Sequence, residues 1–200
     1  MIINYFGHSY FFIEGKDYSI AIDPFSNVGL DEVKVNSDYV FCSHNHFDHQ
    51  NASLASGAKP VKNGYPFEII SCYHDEKCGA LRGKNDILVF EIDGFRCAHL
   101  GDLGEYENQD IINKLKGVDL LFIPVGGKYT IDSVGAYEYA VKTGAKAVIP
   151  MHYKAGSSKI DIQVVKPFLD KFDTYKKVSS PYKYSGEKGV IHVEFEGENL

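Results

Sequence analysis

The chain has 200 residues and a formal charge of −6, from 27 acidic and 21 basic side chains. That length predicts one domain over 1–200, able to bury a core without covalent staples. The acidic balance disfavours a nucleic-acid surface, because phosphate contacts need clustered Lys and Arg. The densest basic stretch, with Lys171, Lys176, Lys177 and Lys183, has Asp170 and Asp173 beside it and reads as a solvated face. The N-terminus enters a strand-like pattern directly, without a basic region followed by an apolar one, so no signal peptide is expected. No apolar run approaches the ~20 residues of a membrane-spanning helix. The four cysteines, Cys42, Cys72, Cys78 and Cys97, form no Cys-x-x-Cys pair, and three fall in predicted strands, where a thiol is usually a small buried hydrophobe. A reduced, cytoplasmic protein is the expectation.

In chain order, alternation predicts short strands over 2–6, 10–14, 19–23 and 39–43, with Gly15-Lys16-Asp17 closing a hairpin. Strands over 87–91 and 95–99 flank Asp93-Gly94, a two-residue hairpin signal. Apolar Ile111, Ile112 and Leu115 at helical spacing predict a helix over 108–116 that stops at Gly117. The nearly continuous apolar run 120–125 suits a strand covered on both faces. Amphipathic helices are predicted over 133–143, ending at Gly144, and over 161–172. A last strand alternates through 191–195. Strand-rich halves with interspersed helices suit helices packed outside two facing sheets.

The chemistry concentrates in Cys42-Ser43-His44-Asn45-His46-Phe47-Asp48-His49, a His-x-His-x-Asp-His pattern. Neutral imidazole and carboxylate are the common nitrogen and oxygen ligands of zinc and similar dications. In an extended chain His44 and His46 would point to the same side and chelate one ion. Asp48 and His49 would fall at the turn and face a second. Further ligand-type residues close strand-like runs: His74, His99 with Asp102, and His152. Ligands gathered from several strand ends are a common way to build a site on a rigid scaffold.

The ordered set resembles the metallo-β-lactamase superfamily, and within it the small L-ascorbate-6-phosphate-lactonase-like branch of metal-dependent hydrolases. The likeness runs from Tyr5-Phe6-Gly7-His8-Ser9 and Ile20-Ala21-Ile22-Asp23-Pro24 through the histidine motif. It continues in His74-Asp75-Glu76, Arg82-Gly83-Lys84-Asn85 and Leu100-Gly101-Asp102, and ends in Ile123-Pro124-Val125-Gly126-Gly127 and Ile149-Pro150-Met151-His152-Tyr153. It implies an α/β fold, an αββα sandwich of two facing mixed β-sheets with helices on the outer faces. It also implies a dinuclear centre. It names no substrate, because the fold hosts many unrelated reactions.

On that likeness His44, His46 and His74 are expected on the first metal and Asp48, His49 and His152 on the second, with Asp102 bridging. Asp48 and Asp102 are the expected catalytic carboxylates. His99, three residues before Asp102, competes with His74; the family pattern favours His74 and leaves His99, with Asp23, to orient ligand imidazoles. Asp75, beside His74, is expected to help orient it. His8, Arg82, Asn85, Tyr129 and Tyr153 are expected to line the substrate pocket, with Lys84 in the same loop. His192, alternating with apolar residues, reads as structural.

The implied activity is hydrolysis of an ester, lactone or phosphodiester of a small anionic substrate by a metal-bridged hydroxide. Two divalent ions are expected, zinc first, with manganese or iron compatible with the same donors. The rival classes are a nuclease or a di-metal oxidoreductase on the same fold, and a non-catalytic metal-binding domain. The di-iron pattern has glutamate where this chain has His46, and it needs a flavin domain or partner. A small-molecule partner is expected, with neither nucleic acid nor membrane, and a homo-oligomer is compatible with the sequence.

Overall fold

The computed structural model describes residues 1–198. The chain opens with β1 (Ile2–Tyr5), β2 (Phe11–Glu14) and β3 (Ser19–Ile22), followed by β4 (Val35–Asn36), β5 (Tyr39–Phe41), β6 (Ala55–Ser56) and β7 (Lys59–Pro60). A second run contains β8 (Phe67–Tyr73), β9 (Lys84–Ile92), β10 (Phe95–His99), α1 (Gln109–Leu115), β11 (Leu120–Pro124), α2 (Ser133–Thr143) and β12 (Ala147–Met151). It closes with α3 (Lys166–Leu169), β13 (Tyr175–Ser179), β14 (Tyr182–Lys183) and β15 (Gly189–Glu194). The strands make a six-stranded sheet, β14-β1-β2-β3-β5-β7, a seven-stranded sheet, β13-β15-β12-β11-β10-β9-β8, and a small β4-β6 pair.

The pleat sorts side chains between two cores. Ile20 and Ile22 of β3 and Phe41 of β5 face the seven-stranded sheet, while the intervening Ala21 and Val40 face outward. Phe11 meets Phe122 across the sandwich, their ring centroids 4.7 Å apart. Strands β11 and β12 are buried along their whole length, as their unbroken apolar sequence requires. The outward residues of the six-stranded sheet are covered by Phe25 and Val28 from a loop, Leu54 from the 3₁₀ turn Ala52–Leu54, and Ala55, the first residue of β6.

The helices pack in a row, α1 against α2 and α2 against α3, with α2 lying on β11. The first two begin on side-chain caps. Asn108 caps α1 by accepting from the Asp110 and Ile111 N–H groups, and Asp132 caps α2 through Val134 and Gly135. Gly144 closes α2 at φ +64, a left-handed conformation that glycine adopts without steric cost.

The expected helix over 161–172 shrinks to the four residues of α3. Pro167 lacks an N–H and is favoured only in a first helical turn, so the helix that contains it starts at Lys166 and does not extend back to 161. The Gln163 backbone instead bridges two loops, donating to the Gly126 carbonyl and accepting from the Lys154 N–H. The stretch from His44 to His46 is also not extended as expected but bent, while Asp48 and His49 fall in a turn, as expected.

Within the six-stranded sheet β1, β3 and β5 share one direction, because β2 runs antiparallel to both of its neighbours and β5 pairs parallel with β3. In the other sheet β8, β10, β11 and β12 share one direction by the same reasoning. The segments leaving these seven strands carry most of the site residues considered below; His99 is the last residue of β10 and Asn85 the second of β9. Phe122→Ala would remove a buried ring from the contact that joins the sheets. It is expected to cost about 3–5 kcal/mol, measured by denaturant unfolding; a loss under ~1 kcal/mol would mean that this contact does not hold the sandwich.

Candidate metal centre

The turn after β1 carries His8, the end of β3 carries Asp23, and the curl after β5 carries His44, His46, Asp48 and His49. From the other sheet come His74 after β8, Asp102 after β10 and His152 after β12. The backbone is forced at three of these points. His8, Asp23 and His152 have φ of +52, +52 and +54, a left-handed conformation that costs a non-glycine residue of order 1–3 kcal/mol and clusters at functional sites. The crowding extends to glycines: a Cβ on Gly126 would lie 2.2 Å from the His152 carbonyl oxygen, and one on Gly104 would lie 2.3 Å from the His74 carbonyl carbon.

Asp23 is wholly buried. Its Oδ1 accepts from the Ser43 N–H at 2.7 Å, and its Oδ2 accepts from the Ser43 hydroxyl at 2.8 Å and from His49 Nδ1 at 2.9 Å. Because the Ser43 hydroxyl donates to Asp23, it accepts from His44 Nδ1 at 2.9 Å. One carboxylate thus places the Nδ1–H on two imidazoles and turns both Nε2 atoms inward. His74 is set in the same way by another acceptor, its Nδ1 donating to the Tyr129 carbonyl at 3.0 Å.

Asp102 is the centre of the cluster. His49 Nε2 lies 3.2 Å from its Oδ1, and His74 and His152 Nε2 lie 3.2 and 3.1 Å from its Oδ2. Its backbone N–H donates to Asn85 Oδ1 at 2.8 Å, and Asn85 Nδ2 donates to the Leu100 carbonyl. His99 sits aside. Its Nε2 donates to the Ser9 carbonyl at 3.1 Å and its Nδ1 accepts from the Gly101 N–H at 3.2 Å. With both nitrogens occupied it has no lone pair for an ion, and its Nδ1 is 3.9 Å from Asp23.

The charges follow from this crowding. Burial opposes ionisation of Asp102, yet His152 and His49 hold its carboxyl well below the usual range. Burial likewise opposes a charge on His49, but Asp102 and Asp23 raise its pKa well above the ordinary value. His74 is raised against burial by Asp102. His44 is pushed down to about 3 by burial and by the neighbouring His49, and His8 to about 4 by burial and by His152.

The donor set fits metal ions. His44 Nε2, His49 Nε2 and Asp102 Oδ1 are buried without a hydrogen bond, and an orphaned buried polar atom calls for an explanation. The 3.2 Å between His49 Nε2 and Asp102 Oδ1 is therefore a side-by-side approach of two atoms facing the same interior. Among the described residues three groups have ligand atoms within 4.8 Å of one another: His44, His46 and His74; His44, His49 and Asp102; and His8, Asp48, His49 and His152.

Sequence reasoning placed His8 in the pocket lining, and the structure places it with the cluster. It is 2% exposed, both ring nitrogens lack hydrogen bonds, and its Nε2 is 3.3 Å from Asp48 Oδ2. Its carbonyl accepts from the His152 N–H at 2.6 Å and from the Tyr5 hydroxyl at 2.9 Å, which joins the two sheets beneath the site. Asn85 and Tyr153 do not line the pocket either. Asn85 is fully buried beneath Asp102, and the Tyr153 hydroxyl is buried against Glu198 and His192. Asp75 does not touch the His74 ring; it turns into its own loop. Arg82 and Tyr129 do line a cavity of about 490 Å³ that opens onto His46, Asp48, His74, Asp102 and His152.

The Beta-lactamase superfamily domain, as a family model, matches residues 2–152. A protein from Pelotomaculum thermopropionicum named a metal-dependent hydrolase is 28% identical, over 76% of this chain and 84% of that one. The crystal structure of a proposed zinc-dependent hydrolase of the metallo-β-lactamase superfamily from Thermotoga maritima superposes with a TM-score of 0.81 at 32% identity, covering 98% of this chain and 99% of that one. The short form of human tRNase Z shares the fold at 10% identity and a TM-score of 0.57, over 76% of this chain and 92% of that one. With its strand-end histidines and carboxylates converging as they do, the chain belongs to the metallo-β-lactamase superfamily.

Proposed function

We propose that this chain is a metal-dependent hydrolase with a dinuclear centre, acting on an ester, lactone or phosphodiester of a small anionic molecule. The observation that carries the reading is the set of buried, unbonded atoms His44 Nε2, His49 Nε2 and Asp102 Oδ1 within one shared space. His44, His46 and His74 would hold the first ion, Asp48, His49 and His152 the second, and Asp102 both. Zinc is the first choice for these donors, with manganese or iron next. When bound, such ions lower the pKa of water toward ~7 and polarise the oxygen of the bond to be cut.

The chain's own residues supply position and tautomer. Asp23 holds the protons of His49 and, through Ser43, of His44 on the outward nitrogens. Asn85 fixes the backbone of Asp102. The Asp48 carboxyl, against the pull of burial, is held well below the usual range by His8 and His49. A carboxylate so weakly basic suits a ligand better than a general base. The relatives named as metal-dependent hydrolases support the reaction class.

Elemental analysis of protein purified without chelator should give close to two metal equivalents per chain. Asp102→Asn should lose the second equivalent and suppress turnover of a generic diester or lactone together, with circular dichroism unchanged. Both metals and normal turnover in that variant would end the bridging role.

His74→Ala should weaken metal binding by more than the ~10–100-fold typical of losing an orienting partner, while His99→Ala stays within that range. The reverse order would exchange their roles.

Metal loading should also release protons. His49 and His74 have raised pKa values in the metal-free chain, so each holds its proton more tightly than a free imidazole, whereas a ligand imidazole must be neutral. Affinity should therefore fall as pH falls. Calorimetry in two buffers of different ionisation enthalpy should show net proton release on metal binding, growing as the pH is lowered toward the ordinary imidazole range. Buffer-independent heats would contradict the assignment of these two rings.

A further inference from the structure

The loop between His74 and Gly83 is built around one side chain. The His74 N–H donates to the Gly83 carbonyl at 3.1 Å and closes its base. Inside it the buried Asp75 carboxylate accepts from four backbone N–H groups: Lys77 at 2.7 Å, Gly79 at 3.1 Å, Leu81 at 3.1 Å and Arg82 at 2.8 Å. Hydrogen bonds to an ionised acceptor are roughly twice as strong as neutral ones, so the loop is tied from within. Its last bond fixes the backbone of Arg82.

The Arg82 guanidinium is then registered on the loop after β11. Its Nη2 donates to the Lys128 carbonyl at 3.0 Å, and the group lies over the Tyr129 ring, 5.5 Å from its centroid. The Tyr129 carbonyl holds the His74 ring. Adjacent carbonyls therefore position a cavity-wall arginine and a candidate metal ligand. That contact uses one of the guanidinium's five N–H donors. Among the described residues no carboxylate comes within ion-pair distance of Arg82 or of Lys159, which lines the same cavity. Lys128, by contrast, is neutralised by Asp161. The cavity, about 490 Å³, thus holds two cations without an ion-pair partner beside apolar Phe47 and Ile160; of the carboxylates on its wall, Asp161 is paired with Lys128 and Asp48 and Asp102 face the histidines, and its size is within the range of small-molecule sites.

We propose that Arg82, seated on Tyr129 and assisted by Lys159, is an anion subsite that takes a carboxylate or phosphate group carried by the substrate apart from the bond to be cut, and that Asp75 is its positioning residue. This rests on the hydrolase reading for the bond, but not for the subsite. The substrate class is then a small ester, lactone or phosphodiester with a second, separate anionic group. A planar fork matches either oxyanion in a bidentate fashion.

The test uses zinc-loaded protein and three non-reacting probes that share a carboxylate head and differ in the tail: glutarate, 4-phosphonobutyrate and 5-hydroxypentanoate. Calorimetry should show a charged tail binding ~10–100-fold more tightly than the hydroxyl tail, as charge-assisted hydrogen bonds in a cavity provide. The better of the two charged tails identifies carboxylate or phosphate as the group read. In Arg82→Met the preference should collapse to under ~3-fold with zinc content unchanged, and Arg82→Lys should fall between. Asp75→Asn leaves Arg82 in place but loosens its loop, and should lower the preference without removing zinc. A loop with only a structural role would change stability and leave the ratio alone. Equal binding of all three tails by the native chain, or a full preference in Arg82→Met, would overturn the subsite. A chain that keeps the preference yet hydrolyses no ester, lactone or phosphodiester would remove the hydrolase reading and leave the subsite standing; hydrolysis without the preference would do the reverse.

Discussion

The candidate centre depends on the buried carboxylate of Asp23. An ionised carboxylate with no access to water is costly unless hydrogen bonds replace its hydration. Here Ser43 supplies two and His49 a third. The same bonds that make Asp23 tolerable also orient the Nε2 atoms of His44 and His49, so burial and orientation have one cause. The left-handed backbone at Asp23 belongs to the same arrangement, because it turns the chain at the end of β3 and leaves the carboxylate beneath the histidine curl. Removing that charge would leave the fold its sheets but would free two imidazoles to adopt either tautomer.

Without metal the cluster is electrostatically strained and yet held together. Asp102, Asp48 and Asp23 have lowered pKa values, so they stabilise the fold above the usual carboxylate range, and that contribution is lost as pH falls through their folded values. His49 and His74 have raised values, so their contribution is full below the unfolded imidazole pKa and is lost as pH rises through their folded ones. The two windows overlap on the weakly acidic side of neutrality, where the pairs Asp23–His49–Asp102 and His74–Asp102 are charged together. Dications held here by these residues would take the place of the protons on the same imidazoles.

The sequence made the sheets and the histidine motif legible because both are local. Alternation marks β1 to β3, the Asp93-Gly94 turn marks the β9–β10 hairpin, and His44 to His49 lie within six positions. His74, Asp102 and His152 were legible because each ends an apolar run, and the shared direction of β8, β10 and β12 brings those ends to one edge. His8 was not legible as part of the cluster. Its partners Asp48 and His152 are distant in sequence, and the only local signal is a histidine after a glycine in a tight turn. Asn85 and Tyr153 were misplaced for a related reason. A polar residue next to a motif reads as pocket lining, whereas tertiary contacts with Leu100 and Asp102, or with His192 and Glu198, bury it as support. The 161–172 periodicity was overridden by Pro167 and by the use of the Gln163 backbone in bridging two loops.

Rigid strand ends and a self-tied loop divide the labour in this site. The six-stranded sheet delivers His8, Asp23 and the histidine curl, and the seven-stranded sheet delivers Asp102 and His152, all from positions that cannot move without disturbing a packed strand. Arg82 belongs to a loop whose order comes from Asp75 and not from the sheets, so its sequence can vary with little cost to the core. His74 stands where these two regimes meet. Its backbone closes that loop through Gly83, while its ring is aimed at Asp102 by the carbonyl of Tyr129, the residue on which Arg82 rests. A change in the loop that moved Arg82 by shifting Tyr129 would therefore also rotate His74. The proposed anion contact of Arg82 and the proposed ligand role of His74 are thus mechanically coupled through Tyr129, and changes in the loop that leave the Tyr129 carbonyl in place would alter the first without disturbing the second.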